Sequence, residues 1–222
     1  MRVAVGLALL LLLTAAAYAA DRRTAVDPNT PPWNAVAKVQ TNTGVRCTGV
    51  LIAPTVVLTA AHCLHNRLTG ALLQPVSLHV LFGYRRGAFT WHGTVVRLVT
   101  GAGFQGSEPR PQTADWARIE LAEAAPGPPL PIFGGHAGAG SSVVLAGYNQ
   151  DRAQLLMADL SCHVLHEMPA GQRRYLVHDC AATRGTSGAP LLTRQHDGWA
   201  VVGINIAAGP NANLALGLIP EK

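Results

Sequence analysis

Three short stretches of this 222-residue chain carry side chains that can move protons or attack a carbonyl group. Residues 183–190 read Thr-Arg-Gly-Thr-Ser-Gly-Ala-Pro and place Ser187 among small residues, with Gly185 two positions before it and Gly188 one after. Backbone of that kind turns tightly and lets a ligand come close. It suits a nucleophile, although Gly-Thr-Ser-Gly is equally the composition of an ordinary surface turn. A serine hydroxyl becomes a useful nucleophile only when a base takes its proton, so the chemistry requires an imidazole and a group to orient it. His62 follows Leu58-Thr59-Ala60-Ala61, where a strand runs into a turn of small residues, and Cys63 comes directly after it. A covalent staple at Cys63 would fix the direction of that ring. Asp115 opens the stretch Asp-Trp-Ala-Arg-Ile-Glu-Leu and shares the parity of Ala117, Ile119 and Leu121. The alternation predicts a strand with those residues inward. A carboxylate on that face needs a partner, because an unpaired buried charge is costly.

The elements that must position these residues read as strands. Residues 35–39, 47–52, 56–59, 78–82 and 93–99 are short runs rich in Val, Leu, Ile and Thr, separated by Gly, Pro or Asn. A second series occupies residues 142–146, 155–164, 175–179, 190–193, 199–206 and 214–219. Helical periodicity is scarce apart from a turn near residues 60–64, so the composition points to an all-β sandwich or barrel. Between the two series, residues 123–131 hold four prolines and a glycine and read as a linker. The expected organisation is a first barrel over 33–122, that linker, and a second barrel over 132–222. The polar, proline-bearing residues 21–32 are expected as an extended lead-in rather than a packed element. Two other features are read as structural. His163 and His166 would face opposite sides of a strand, and the Gly-rich stretch 134–140 lacks the Lys and Ser/Thr of a phosphate loop.

Residues 1–20 have a positive start, an apolar middle and small residues at Ala17-Tyr18-Ala19, the three parts of a secretory signal peptide. Cleavage is expected after Ala19 or Ala20. The apolar core is too short to span a bilayer, which takes about 20 apolar residues, so no stable membrane anchor is expected after cleavage, and the protein is expected to be secreted or periplasmic. Export agrees with the four cysteines, which read as two disulfides in an oxidising compartment. Of the three connectivities, Cys47 with Cys63 and Cys162 with Cys180 makes two local loops and is the preferred one. No Cys-x-x-Cys pair or suitably spaced histidine pair suggests a metal site. The chain carries 17 Lys and Arg against 12 Asp and Glu, a net charge of +5. The basic residues are scattered rather than striped, which argues against nucleic-acid binding.

Taken together, Thr-Ala-Ala-His62-Cys, Ala-Asp115-Trp-Ala-Arg-Ile-Glu-Leu and Gly-Thr-Ser187-Gly-Ala-Pro, in that chain order, resemble the chymotrypsin-like (trypsin-like) serine peptidase family. More particularly they resemble its secreted bacterial branch, which includes the glutamyl endopeptidases. Cys47-Thr48-Gly49-Val50-Leu51-Ile52 is similar to the family strand whose cysteine bridges the one after the histidine. The resemblance implies two six-stranded antiparallel β-barrels with the active site in the cleft between them, and no metal or organic cofactor. It implies a serine endopeptidase acting on a polypeptide through a Ser-His-Asp triad and an acyl-enzyme. His62, Asp115 and Ser187 would be catalytic, and the N–H groups of Gly185 and Ser187 would form the oxyanion hole. Ala181 and Ala182 would line the specificity pocket opposite Asn205 and Ala208, and the strand that includes Ile206 and Ala207 would pair with substrate backbone. The alternatives on the same residues are a two-barrel binding protein without turnover, or an esterase or other hydrolase dedicated to one substrate.

The chain departs from the family pattern at informative places. Thr186 stands where many members carry the aspartate that receives a newly cut N-terminus, so that activation step does not transfer. Asn205 occupies the place of a histidine in the glutamyl-specific relatives, Thr183 that of a pocket-closing cysteine, and no acid marks a trypsin-like pocket. A small or uncharged side chain is expected before the cleaved bond unless Asp179 reaches the pocket. Arg22-Arg23 is open to reading either as a processing site or as a solvated pair.

Overall fold

The computed structural model describes residues 21–106 and 111–219, and the expected signal peptide, residues 1–20, lies outside them. Two antiparallel sheets make up nearly all of the regular structure. The first contains β2 (Val36–Thr41), β3 (Arg46–Ala53), β4 (Val56–Thr59), β5 (Leu78–Phe82), β6 (Trp91–Gly93), β7 (Val95–Thr100) and β8 (Ala117–Leu121), in the order β6-β5-β2-β3-β4-β8-β7. Only Thr94 separates β6 from β7, and the two pair with opposite edges, β6 with β5 and β7 with β8. One bent run of chain therefore bridges the two edges of the sheet. Counted once, it gives six strands.

The second sheet contains β9 (Ser142–Gly147), β10 (Met157–Ala170), β11 (Arg173–His178), β12 (Pro190–Gln195), β13 (Gly198–Ala208) and β14 (Asn213–Gly217), closed into a ring by the pairing of β9 with β10. β10 is long enough to change partners along its length, pairing with β9 at its start and with β11 toward its end. A seventh strand, β1 (Arg23–Ala25), joins the outside of this ring by pairing with β10. The start of the lead-in is thus packed rather than free. Its charged side chains find carboxylates beside β10 while its backbone completes an open edge, which local polarity could not reveal.

Alternation accounts for the faces of the strands. In β8, Ala117, Ile119 and Leu121 are buried while Arg118 and Glu120 are partly exposed, the period-two pattern of a half-buried strand. The largest apolar cluster spans both sheets, joining Leu51, Leu64 and Ile119 to Val201, Ile204 and Leu216, while Val143, Leu145, Leu176 and Leu191 form a separate cluster in the second sheet. The proline-rich segment 123–131 is stitched down along this seam. Ala125 and Leu130 donate to the carbonyls of Pro54 and Leu51, and Val201 donates to Pro131. Bonds Cys47–Cys63 and Cys162–Cys180 each close a short loop, 16 and 18 residues in separation. By chain-entropy reasoning each contributes about 3 kcal/mol. Among the described residues no helix is long and apolar enough to cross a membrane.

Ile119 is fully buried at the centre of β8. Ile119→Ala should lower the unfolding free energy by about 2–5 kcal/mol, read as a shifted urea midpoint at unchanged slope.

Candidate active site

The β4–β8 ladder brings His62 and Asp115 together. Thr59 at the end of β4 pairs with Ala117 at the start of β8. The chain leaves β4 into a single 3₁₀ turn, Ala61–Leu64, that carries His62, while Asp115 lies just before β8. Asp115 is fully buried. One of its oxygens accepts from the His62 backbone N–H at 2.9 Å, and its carboxylate accepts from the ring at Nδ1, 2.8 Å to Oδ2 and 3.0 Å to Oδ1. An ionised carboxylate can only accept, so Nδ1 carries the hydrogen and Nε2 is left as the basic nitrogen. The Cys47–Cys63 bond ties the residue after His62 to β3.

Ser187 lies on a turn that only glycine permits at two points. Gly185 and Gly188 both have positive φ, +96° and +78°. A Cβ at Gly185 would collide with the Tyr148 carbonyl, and one at Gly188 with the Thr48 carbonyl and the Thr59 hydroxyl. The turn is held against the first sheet by Thr48. This buried residue donates its backbone N–H to the Ser187 carbonyl at 2.8 Å and its hydroxyl to the Gly185 carbonyl at 3.0 Å. The same hydroxyl accepts from the Tyr148 N–H at 2.9 Å, and the Thr48 carbonyl accepts from the Thr59 hydroxyl at 2.7 Å. Among the described residues the N–H groups of Gly185 and Ser187 have no partner, and both residues border the same cleft as His62.

A buried polar chain supports the turn from behind. The Thr186 hydroxyl donates to the Thr183 carbonyl at 2.7 Å and accepts from the Asn205 amide at 3.2 Å, and the Asn205 side-chain oxygen accepts from His178 Nε2 at 3.0 Å. The Asn205 backbone is equally engaged, accepting from Gly188 and donating to Ala189. Burial disfavours the imidazolium form of His178 and lowers its pKa to about 4. The ring is therefore neutral, and its Nδ1 is buried without a partner among the described residues.

The segment preceding the turn is clamped from the N-terminal side. Arg23, its side chain 8% exposed, pairs with Asp151 at 2.7 Å and donates to the Asn149 side-chain oxygen at 2.7 Å. That oxygen also accepts from the Thr183 N–H, while Asp151 accepts from the Thr183 hydroxyl. These contacts, the Arg23 hydrogen bond foremost, hold the Asp151 pKa down at about 2. Arg22 pairs with fully buried Asp159, whose carboxylate also accepts from the Ala181 N–H at 2.7 Å. Of the two readings open for Arg22-Arg23, the solvated pair is replaced by a pair of anchors for residues 181–183.

The cleft between the sheets measures about 580 Å³ and is lined by His62, Gly185, Ser187 and the strand Asn205, Ile206, Ala207, Ala208. Ala181 and Ala182 line a neighbouring hollow of about 480 Å³ that shares Thr183 with the cleft. Asp179 lines that hollow rather than the cleft, and its carboxylate pairs with Arg22 and accepts from the His163 N–H. Asn205 borders the cleft, but its amide is spent between His178 and Thr186. Thr48, His178, Asn149 and Arg23 carry the geometry, yet no local signal marks them. Only the hydroxyl of Thr48, between Cys47 and the apolar run 49–53, hints at a buried partner.

A family model described as a trypsin-like peptidase domain matches residues 47–204. The fold is similar to that of a Glu endopeptidase solved in complex with MPD, at 19% identity and a TM-score of 0.72 over 90% of this chain and 92% of that one. It is also similar to AL20, a thermostable serine protease from an extremophilic microorganism, at 22% identity and a TM-score of 0.64 over 84% and 91%. No curated protein matches the sequence significantly.

The buried neutral histidine has a consequence for stability. His178 has a lower pKa when folded, about 4, than its ordinary 6.5, so as pH falls the unfolded chain takes up this proton first. Its contribution is complete above pH 6.5 and is lost as pH falls through 4, a total of ~3 kcal/mol. Urea unfolding at a series of pH values should show this loss, and His178→Gln should remove that part of the slope while leaving the carboxylate part.

Proposed function

The chain belongs to the trypsin-like peptidase family and is a serine-type endopeptidase, and we propose that it cleaves polypeptides through Ser187, His62 and Asp115. The observation that carries the assignment is the buried Asp115 carboxylate on His62 Nδ1, with Ser187 in the same cleft. His62 Nε2 takes the Ser187 proton as Oγ attacks the scissile carbonyl carbon. The resulting oxyanion is met by the free N–H groups of Gly185 and Ser187, each such donor lowering the barrier by about 2.7–4 kcal/mol. His62 then passes the proton to the departing amine, and the acyl-enzyme forms. Water attacks this ester with His62 again as base. Asp115 holds the imidazole in the required tautomer and stabilises its charged form.

The acyl half of the substrate runs along residues 206–208. The last pairing of β12 with β13 is Pro190 with Ile204, so β13 continues into the cleft with that edge unpaired by β12. Peptide backbone adds there as a strand, supplying affinity with little side-chain selectivity. The expected signal peptide and the two disulfides support export to the periplasm or the medium. Thr186 supports an activation route other than the family's inserted N-terminus. The Thr186–Asn205–His178 chain and the Arg22 and Arg23 anchors hold the turn in place of that charge pair.

Ser187→Ala should abolish covalent labelling by a fluorophosphonate probe with the unfolding midpoint retained; undiminished labelling would refute the nucleophile. Asp115→Asn should lower kcat by about 10⁴, because the amide favours the wrong imidazole tautomer. Steady-state kinetics on a quenched-fluorescent peptide library would read this, and a change under tenfold would refute the role.

A further inference from the structure

Among the described residues three guanidinium groups and no carboxylate border the cleft. They belong to Arg46, Arg67 and Arg184. All three residues are exposed, and among the described residues none of their side chains has an ion pair or a hydrogen-bond acceptor. Elsewhere Arg22, Arg23, Arg97, Arg152 and Arg174 each sit on an Asp or Glu, while Arg85, Arg86 and Arg194 lie scattered outside the cleft without an ion pair among the described residues, so what distinguishes Arg46, Arg67 and Arg184 is their gathering at one concavity.

Their placement gives the charge a direction. Arg46 begins β3 immediately before Cys47, and Arg67 lies in the turn after His62 that is closed by the Gly70 N–H on the Asn66 carbonyl. The Cys47–Cys63 bond joins these two stretches, so both arginines stand on the first-sheet wall of the cleft. The unpaired strand edge at residues 206–208 belongs to the opposite wall, with the Ser187 turn between them and Arg184 just before that turn. A peptide whose acyl half lies on residues 206–208 must lead its other half, beyond Ser187, toward Arg46 and Arg67.

We propose that this cleft selects polypeptides carrying Asp or Glu in the first residues after the scissile bond, on the leaving-group side; the inference rests on the endopeptidase reading above. A single exposed ion pair contributes little. Several cations converging on one concavity without a local anion focus the field, and so raise the capture rate of acidic chains. That attraction is screened within about 10 Å at ordinary ionic strength, so the selectivity has a salt signature that shape-based selectivity lacks. Guanidinium groups also pair with carboxylates through two parallel hydrogen bonds, which favours Asp and Glu over a diffuse negative charge.

The test uses peptides identical in the acyl half and carrying either Glu or Gln at the first two positions after the cleaved bond. At low ionic strength kcat/KM should be about three- to tenfold higher for the Glu peptide. The ratio should approach one in molar salt, and should fall toward one in the R46Q/R67Q double variant. Moving the Glu pair well upstream of the scissile bond should erase the preference. Equal rates for the Glu and Gln peptides, or a preference that persists in the double variant or follows Glu to the upstream position, would overturn the proposal. Fluorescence anisotropy with the S187A protein reads the same Glu-to-Gln difference as binding, without turnover. If the wild-type protein neither labels nor cleaves, the endopeptidase reading fails. The anisotropy ratio still decides the recognition of acidic peptide, because equal binding of the two peptides overturns it.

Discussion

Everything in the cleft depends on how the Ser187 turn is held to the first sheet, and that task falls largely to one buried threonine. Thr48 reaches the turn through its backbone N–H at Ser187 and its hydroxyl at Gly185, two residues apart on the same loop. These bonds join residues more than a hundred positions apart in the chain across the seam between the sheets. Because every hydrogen-bonding group of Thr48 is used inside the protein, an apolar substitute would leave the Gly185 carbonyl and the Tyr148 N–H without this partner, at about 1–3 kcal/mol for each buried group. The neighbouring Cys47–Cys63 bond fixes His62 to the same strand. Ser187 and His62 are thus both referenced to β3, whose residues 47–51 are buried.

Behind the turn the protein uses neutral groups where a buried charge pair would carry a large desolvation penalty. Thr186, Asn205 and a neutral His178 form a chain of hydrogen bonds that needs no ionised member. Each charged pair has one partner open to water, Asp151 for Arg23 and Arg22 for Asp159. Arg23 and Asp151 meet at the rim, and Arg22 reaches the buried Asp159 from a partly exposed position. The two devices act on different segments of one loop. The neutral chain fixes residues 186–188, and the anchors fix residues 181–183.

The cationic rim follows from the same distribution. Asp151 and Asp159 are paired with the anchors, and among the described residues the arginines at the cleft have no ion pair. In the proposed reading, the open backbone edge takes peptide in general and the rim adds a preference that acts over longer range, so that shape and charge act on different halves of one chain.

The local patterns were sufficient for the elements and for the residues of the right type. Alternation in 117–121 identified the inward face of β8, and small residues around Ser187 and before His62 marked backbone that turns tightly. Those signals are legible because they depend on neighbours within a few positions. The six-strand count of the first sheet is also implicit in the strand runs, but that one run serves both edges of the sheet depends on a bend at Thr94 that no residue type announces. Partners at long range were not legible. The sequence alone left Arg22-Arg23 open, described residues 21–32 as unpacked, and grouped Ala181 and Ala182 with Asn205 in one pocket. The tertiary structure makes the arginines anchors, turns part of the lead-in into a strand, and separates the alanines into an adjoining hollow. The sequence by itself determined which faces are apolar, where the chain can turn, and which residues could act as nucleophile, base and orienting acid. Only the tertiary structure decided which polar groups meet, because a buried donor is satisfied by whichever acceptor the packing of two sheets brings within about 3 Å.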